Sequence, residues 1–512
     1  MSAKRSLSMS RSILLILGAA LCAQPLLGQE AWREGRNVAG VAVTAPETGQ
    51  EAEAELSGTF TSGDFRSPSM GKTVWSTGVS AQSESRFKNL YLSGNFGFEL
   101  ETGYGMMGSM FTDPGYYPID VLEFTPGTKT RQNYDIGGAF AWKNASRWTP
   151  GASARFRGVN YAKRKDLRHT TWREELEVVP SVVYSAPEWR LGASVLFEKT
   201  SEFIVAEQIG VAPQNPYMAF LDKGMRYGVM QVWDGSGIHL KEPGVDRLPV
   251  KEYAWGFALQ ASFMDRLYAD FEWQWTRGEV GEKGYTWFRF PGQEIKASFS
   301  WDLPSDKGHH HLGLGYEWVG RENHEIVLEK VTEGGVTTPV EYGSNRIYMS
   351  REFDISPSWS FVSKTGWMLG TTAHLLQTRE RSTILYPFLD YDEATLLRWN
   401  VMGAVPVGPF VIRAGAHLGF KVGERAHIVD IADDGTTISD GIARLEDWWD
   451  RETEASDLTR IGLNVALRYP FSPGGRVPLY VEASCNWIHA FGVVLLSGPD
   501  RQTTTLKLGY NF

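Results

Sequence analysis

The stretch YAWGFALQASFMDRLYADFEWQW, residues 253–275, decides the fold. Tyr253, Trp255, Phe257, Leu259, Ala261 and Phe263 alternate with Ala254, Gly256, Ala258, Gln260 and Ser262. After a turn at 264–266 the alternation resumes, with Leu267, Ala269, Phe271, Trp273 and Trp275 set against Tyr268, Asp270, Glu272, Gln274 and Thr276. Side chains two apart share one face of a strand, whereas a helix would scatter both sets around its axis. The segment therefore reads as a β-hairpin with one apolar and one polar face. The same period runs through 90–100, 410–420 and 477–487.

A soluble sandwich also alternates, but three features favour a membrane barrel. Strand candidates run to about 10–14 residues, against about 5–6 in globular sheets, which suits a tilted bilayer crossing. Tryptophans collect near strand ends, among them Trp142, Trp189, Trp275, Trp301, Trp318, Trp359, Trp399 and Trp487, as interfacial girdles require. Connections alternate in length. Short turns are expected at 87–89, 144–148, 186–188, 264–266, 304–307, 356–358, 406–409 and 472–475, and longer loops at 105–131, 201–251, 322–345, 377–395 and 424–456. The reading is an all-β, transmembrane antiparallel barrel of about 18 strands (16 and 14 remain open), with short periplasmic turns and long extracellular loops.

Composition agrees. The chain has 512 residues, with 54 Gly, 13% aromatic residues and 2 Cys, and a formal charge of −9. Two cysteines exclude a disulfide-stapled scaffold, and the absence of a basic stripe argues against nucleic acid as a partner. Residues 1–28 read as a secretory signal peptide, with Lys4, Arg5 and Arg11 before the apolar run 13–21. That leaves 29–50 as an N-terminal periplasmic or lumenal segment and 51–512 as the barrel. At the other end, Leu506, Leu508, Tyr510 and Phe512 alternate with Lys507, Gly509 and Asn511. This resembles the closing-strand signal read by the barrel assembly machinery, with Tyr510 and Phe512 carrying it.

The whole chain resembles outer-membrane barrel families of Bacteroidota that are often encoded beside TonB-dependent uptake receptors. Residues 35–41, Gly-Arg-Asn-Val-Ala-Gly-Val, are also similar to the Asn-Pro-Ala-Gly-Leu segment of fatty-acid-transporter-like barrels, with Val38 in place of the proline. In that superfamily the segment is tucked inside the barrel. The resemblance implies that 29–50, through Arg36, Asn37 and Gly40, plugs or gates the lumen; a disordered leader is the alternative. Fatty-acid transport is not carried over, because that family has fourteen strands.

With the apolar set facing lipid, the other set faces inward: Glu252, Gln260, Asp270, Glu272, Gln274, Lys296, Arg398, Arg413, His417 and Glu482. Both signs occur, as in a water-filled passage or a lumen filled by a plug. Small residues on this face (Ala254, Gly256, Ala258, Gly415, Gly419) suggest the close approach of something inside. The long loops carry Tyr116, Tyr117, Tyr217, Phe220 and Trp233, which would either bind sugars or a protein or, the favoured reading, cap the mouth. His309 to His311 lack a complementary ligand set, and 430–435 departs from a calcium loop at Ala432, so neither a metal nor a cofactor is expected. The acidic stretch 424–457, with Trp448 and Trp449, reads as a solvated loop. No nucleophile elbow or phosphate loop occurs, and the scattered histidines suggest no catalytic set.

The expected function is transport-related: a diffusion channel, or an accessory barrel to a TonB-type nutrient uptake system. A non-conducting scaffold whose aromatic loops bind a partner is the alternative. Expected partners are outer-membrane lipids, the barrel assembly machinery, and a TonB-dependent receptor or surface lipoprotein.

Overall fold

The computed structural model describes residues 31–45, 49–143, 146–207, 217–225, 227–233, 247–282, 285–382, 390–427, 437–472 and 478–511. The expected signal peptide, the 430–435 loop and Phe512 lie outside them.

Successive antiparallel strands run β1 (Gly49–Gly63), β2 (Thr73–Phe87), β3 (Leu90–Ser109), β4 (Asp120–Trp142), β5 (Trp148–Lys163), β6 (Arg168–Ser185) and β7 (Trp189–Glu207). A small hairpin, β8 (Tyr217–Asp222) and β9 (Gly228–Trp233), leaves the wall and pairs with the start of β4. The wall resumes as β10 (Arg247–Phe263), β11 (Leu267–Glu282), β12 (Tyr285–Ser305), β13 (Gly308–Glu333), β14 (Val336–Ser363) and β15 (Met368–Ser382). It ends with β16 (Asp390–Val407), β17 (Phe410–His427), β18 (Arg460–Phe471), β19 (Leu479–Ala490) and β20 (Asp500–Asn511). β7 pairs with β10, and β20 returns to pair with β1, so 18 strands close into an antiparallel barrel. Closure leaves no edge, which is what a sheet in lipid requires.

The outer face is apolar and bare: Trp255, Leu259, Phe299, Leu314, Trp399 and Leu506 are all exposed. Its aromatics form two belts. Trp189 sits opposite Phe263 near the short turns, and Trp255 opposite Trp275 eight residues up β10. Eight residues span about 26 Å of strand, or roughly 20 Å along the normal at ~40° tilt, close to the ~25 Å apolar band of a membrane barrel.

Turns are short at the end that holds both Gly49 and Asn511, the first and last residues of the wall. The expected turn at Ser356–Ser358 is instead inside β14, and the chain reverses at 364–367. Pro357 has no N–H to give, so it interrupts the ladder to β15 between Ile355 and Ser358 without ending the strand. At the opposite end, 322–345 is a paired ribbon of β13 and β14 and no open loop. Residues 437–457 form helix α2 (Thr437–Asp457), not a solvated loop. Leu445, Trp448 and Trp449 recur at helical spacing, and Leu445 and Trp448 are buried. Near the N-terminal end, a helical turn at 31–34 precedes helix α1 (Val38–Thr44).

Candidate functional site

The ten residues expected to face inward fall in strand rows opposite the exposed apolar set. Glu252, Gln260, Glu272, Gln274, Arg413 and Glu482 are buried there. Asp270 and Lys296 lie in the same inward rows, opposite Gln260 and Glu272. Arg398 is in register with His374 and Gly419, and His417 with Asn400 and Gly462.

Two pieces of chain lie against this inner wall. Near the short-turn end, residues 31–45 pack on β4, β5 and β6 through α1. Arg36 ion-pairs with Glu272 of β11 and, at 2.8 Å, with Glu177 of β6. Burial disfavours its charge, but the two carboxylates outweigh that and raise its pKa above the ordinary guanidinium value. Asn37 caps α1 by accepting from the Gly40 N–H at 3.0 Å, and its amide donates to Gln260 Oε1 at 2.9 Å. Gln260 in turn donates to the Gly35 carbonyl at 2.8 Å. Gly40 lies flush on the Trp32 indole, where a Cβ would overlap the ring. On the wall, a Cβ at Gly192 would sit 2.6 Å from Trp32 and 2.7 Å from the Asn37 amide. The small residues that seat the segment are thus Gly151 and Gly192, whereas sequence reading pointed to Ala254, Gly256, Ala258, Gly415 and Gly419.

Near the long-loop end, the β3–β4 connection, residues 110–119, folds inward. Thr112 N–H donates to Glu202 (2.7 Å), Thr171 Oγ1 to the Met110 carbonyl (2.7 Å) and Arg321 to the Tyr116 carbonyl (2.8 Å). Tyr116 donates its hydroxyl to Glu252 at 2.9 Å beneath the Arg173 guanidinium, 3.9 Å from its ring centroid. Burial, reinforced by Glu252, pushes its phenol pKa well above the ordinary value. Tyr117 is buried between Phe111 and Phe290. Phe220 is buried under α2. Tyr116, Tyr117 and Phe220 are therefore not displayed to an external partner. Tyr217 and Trp233 are paired in backbone on β8 and β9, and their side chains lie outside the described residues.

The two inserts share one sector. Gln260 holds the first and Glu252, eight residues away on the same strand face, holds the second. Along β7 and β10 the inward side chains are almost all buried. The opposite sector differs. On β2 and β3 the inward Ser80, Gln82 and Asn95 are exposed, and on β1 and β20 Thr59, Thr61, Thr503 and Thr505 are half-buried. These positions face water inside the barrel, since lipid takes the other face.

Over the outer end of that wet sector lies α2. Asp457 pairs with Lys421 (2.5 Å) and Arg425 (3.5 Å) of β17. Those cations hold its pKa below the usual carboxylate value, against the effect of burial. Glu452 accepts from the Ser69 N–H in the β1–β2 connection at 3.1 Å. Glu454 accepts from the backbone N–H groups of Val494, Leu495 and Leu496 in the β19–β20 connection, at 2.5, 2.8 and 2.7 Å. Its middle packs on Leu122, Phe124 and Phe220. α2 is thus tethered at points around the mouth from β17 to β4.

Among the described residues no cluster of three metal-ligating side chains occurs. His311 is instead paired with Asp302, Nδ1 to Oδ1, at 2.6 Å.

Residues 43–512 match the model of a family of unknown function, DUF6850. The chain belongs to that family. No curated protein matches it. Among solved structures it is similar to BauA, the ferric preacinetobactin receptor of Acinetobacter baumannii, with 8% identity and a TM-score of 0.40 over 91% of this chain and 80% of that one. It is similar to the ferric enterobactin receptor PfeA of Pseudomonas aeruginosa, at 10% identity and TM-score 0.41 over 91% and 81%. It is also similar to the RagAB peptide transporter, at 8% identity and TM-score 0.42 over 86% and 72%.

Proposed function

We propose that this DUF6850 barrel sits in the outer membrane of a Gram-negative bacterium, exported by a cleaved signal peptide 1–28, and has a transport-related role. It acts as a diffusion channel or as an accessory barrel to a TonB-type uptake system of the Bacteroidota kind, without covalent chemistry. The observation that carries this reading is the divided lumen. One sector, β4 to β11, is filled by residues 31–45 and 110–119. The other, from β19 through β20 to β3, keeps exposed polar side chains inside a closed barrel. A solute would pass along the wet sector, beneath α2 at the outer mouth and beside residues 31–45 at the periplasmic mouth. The likeness of residues 35–41 to fatty-acid-transporter-like barrels supports the lumenal position of this segment and says nothing of cargo.

The scaffold reading is weakened at three of its loop aromatics, since Tyr117 and Phe220 are buried and Tyr116 is half-buried with its hydroxyl on Glu252. It retains the β13–β14 ribbon, where Tyr342 is 70% exposed, as a surface for a receptor or lipoprotein.

Single-channel conductance in planar bilayers tests the choice. The mature chain is compared with a variant lacking 29–50 and with Glu454→Ala, which releases three backbone tethers of α2. Conductance that rises in either variant supports a gated channel. Silence in all three refutes it and favours the scaffold.

A further inference from the structure

We infer that three arginines on the lipid-facing side of the wall, Arg351, Arg379 and Arg381, bind the phosphate of an outer-leaflet lipid headgroup; this rests on the outer-membrane placement above. The outward row of β14 leads from Trp359 through Ile355 and Phe353 to Arg351, and that of β15 from Leu375 to Arg379 and Arg381. Arg351 lies directly opposite Arg379, and Arg381 is the next outward residue of β15. All three side chains are exposed. Trp359 belongs to the short-turn end, four residues before β14 ends at Ser363. Eight residues of β14 separate it from Arg351. They span about 26 Å of strand, or roughly 20 Å along the membrane normal at ~40° tilt, so the arginines stand at the outer edge of the apolar band, at headgroup level.

Like charges directly opposite each other on neighbouring strands repel, and a lipid face leaves little water to screen them. Arg379 is held by Glu393 of β16 at 2.9 Å, a carboxylate that also accepts from Gln377 at 3.2 Å. Arg351 and Arg381 have no ion pair or side-chain hydrogen bond among the described residues. Two further carboxylates on this face are engaged, Glu322 of β13 with Arg346 and His324, and Glu424 of β17 with the Tyr391 hydroxyl. With these pairs formed, the guanidiniums of Arg351 and Arg381 are left over at the depth where lipid phosphates lie. A phosphate between them removes the repulsion and accepts paired N–H bonds from the planar guanidinium. Such cations are no general property of the outer face, since the outward rows of β1 to β4 contain no lysine or arginine.

Native mass spectrometry of the full mature chain in a neutral detergent, titrated with diphosphoryl lipid A, tests this. Arg351→Gln with Arg381→Gln is expected to weaken the tightest-bound lipid at least about tenfold, through loss of charge-assisted hydrogen bonds. Lys199→Gln with Arg277→Gln removes two other exposed, lipid-facing cations, which flank Tyr253 and do not face each other. That pair is expected to change affinity by less than about threefold, because a cation that does not touch the lipid contributes only screened surface charge. Arg351→Lys with Arg381→Lys keeps the charge, loses the planar fork, and is expected to fall between the two. Equal losses in both glutamine pairs, or no loss in the first, would overturn the inference. So would equally tight binding of dephosphorylated lipid A, or full displacement of the lipid by an equal concentration of inorganic phosphate, which would assign the arginines to free phosphate. Failure of the unaltered chain to insert into phosphatidylcholine bilayers would instead sink the membrane placement, and the inference with it.

Discussion

Arg36→Ala tests whether the 31–45 segment is held by its charge pairs or only by packing. Removal of the guanidinium leaves Glu272, whose side chain is 4% exposed, and Glu177, at 23%, without their shared cation. Breaking a fully buried pair from one side costs ~3–5 kcal/mol, and losing a hydrogen bond to a charged group ~1.5–3 kcal/mol. Arg36 itself is 24% exposed, so water can reach part of the site, and we expect about 2–3 kcal/mol in the docking of the segment. That corresponds to a roughly 30- to 150-fold loss of hydrogen-exchange protection. The amides to follow are Gly40, Val41 and Ala45, whose hydrogen bonds close the turns of α1. The barrel amides of β10 should not change, because the segment can leave without opening the wall. Glu272→Gln in the Arg36→Ala background removes the stranded charge, so it should restore part of the protection, and the double-mutant cycle should show clear coupling. Unchanged exchange of the α1 amides in Arg36→Ala, or a cycle with no coupling, would refute the argument.

Gly40→Leu drives a side chain into the Trp32 ring and is expected to undock the segment by ~1–3 kcal/mol, visible as new protease cleavage within 31–45. Leu259→Arg places a cation on the lipid face, 51% exposed, and should lower barrel stability by ~2–4 kcal/mol in a lipid-bilayer unfolding titration if its depth is near the midplane. Its neighbour Gln260→Arg should leave bilayer insertion unaffected. Glu454→Ala should raise exchange across α2 while the barrel strands keep theirs, since the lost tethers join α2 to a connection and not to the wall. Asp457 has a folded pKa below its unfolded value, so its pairing with Lys421 stabilises the docked α2 above the unfolded carboxylate pKa, ~3.9. That contribution is lost as pH falls through the folded value. Exchange of α2 should rise at acid pH in the native protein, and Asp457→Asn should abolish that pH dependence.

Period two made the wall legible because each wall residue has lipid on one side and lumen on the other. The hairpin 253–275 shows it directly: Trp255 and Leu259 are bare, and Gln260 and Glu272 are buried inside. The strand total of 18 followed even though one turn was misplaced, since the Ser-Pro-Ser run at 356–358 has turn chemistry but lies inside a strand that its neighbours hold extended. What the sequence concealed is what enters the lumen. Leu445 and Trp448 are amphipathic at helical spacing, a pattern that a search for alternation passes over. Residues 110–119 have no period at all, and their position depends on Thr171, Glu202, Glu252 and Arg321, which come from four strands and are gathered only by closure of the barrel.

The inward residues read as one polar surface in sequence, yet they do two different jobs, and burial explains the division. Where an insert excludes water, a polar group must find a protein partner, so Glu252, Gln260 and Glu272 are matched to Tyr116, Asn37 and Arg36. Where water remains, the partners are on the wall itself and the side chains stay exposed: Gln82 donates to Glu53 and Asn95 to Asp135. The same residue type is therefore used in two ways: Gln260 holds the 31–45 segment, whereas Gln82 bonds only to the neighbouring strand and stays exposed inside the barrel. Gln260→Ala should raise hydrogen exchange of the 31–45 segment, whereas Gln82→Ala, which loses only an exposed bond to Glu53, should leave that exchange unchanged. That contrast, between two glutamines indistinguishable by alternation, is what a filled half and a wet half of one barrel require.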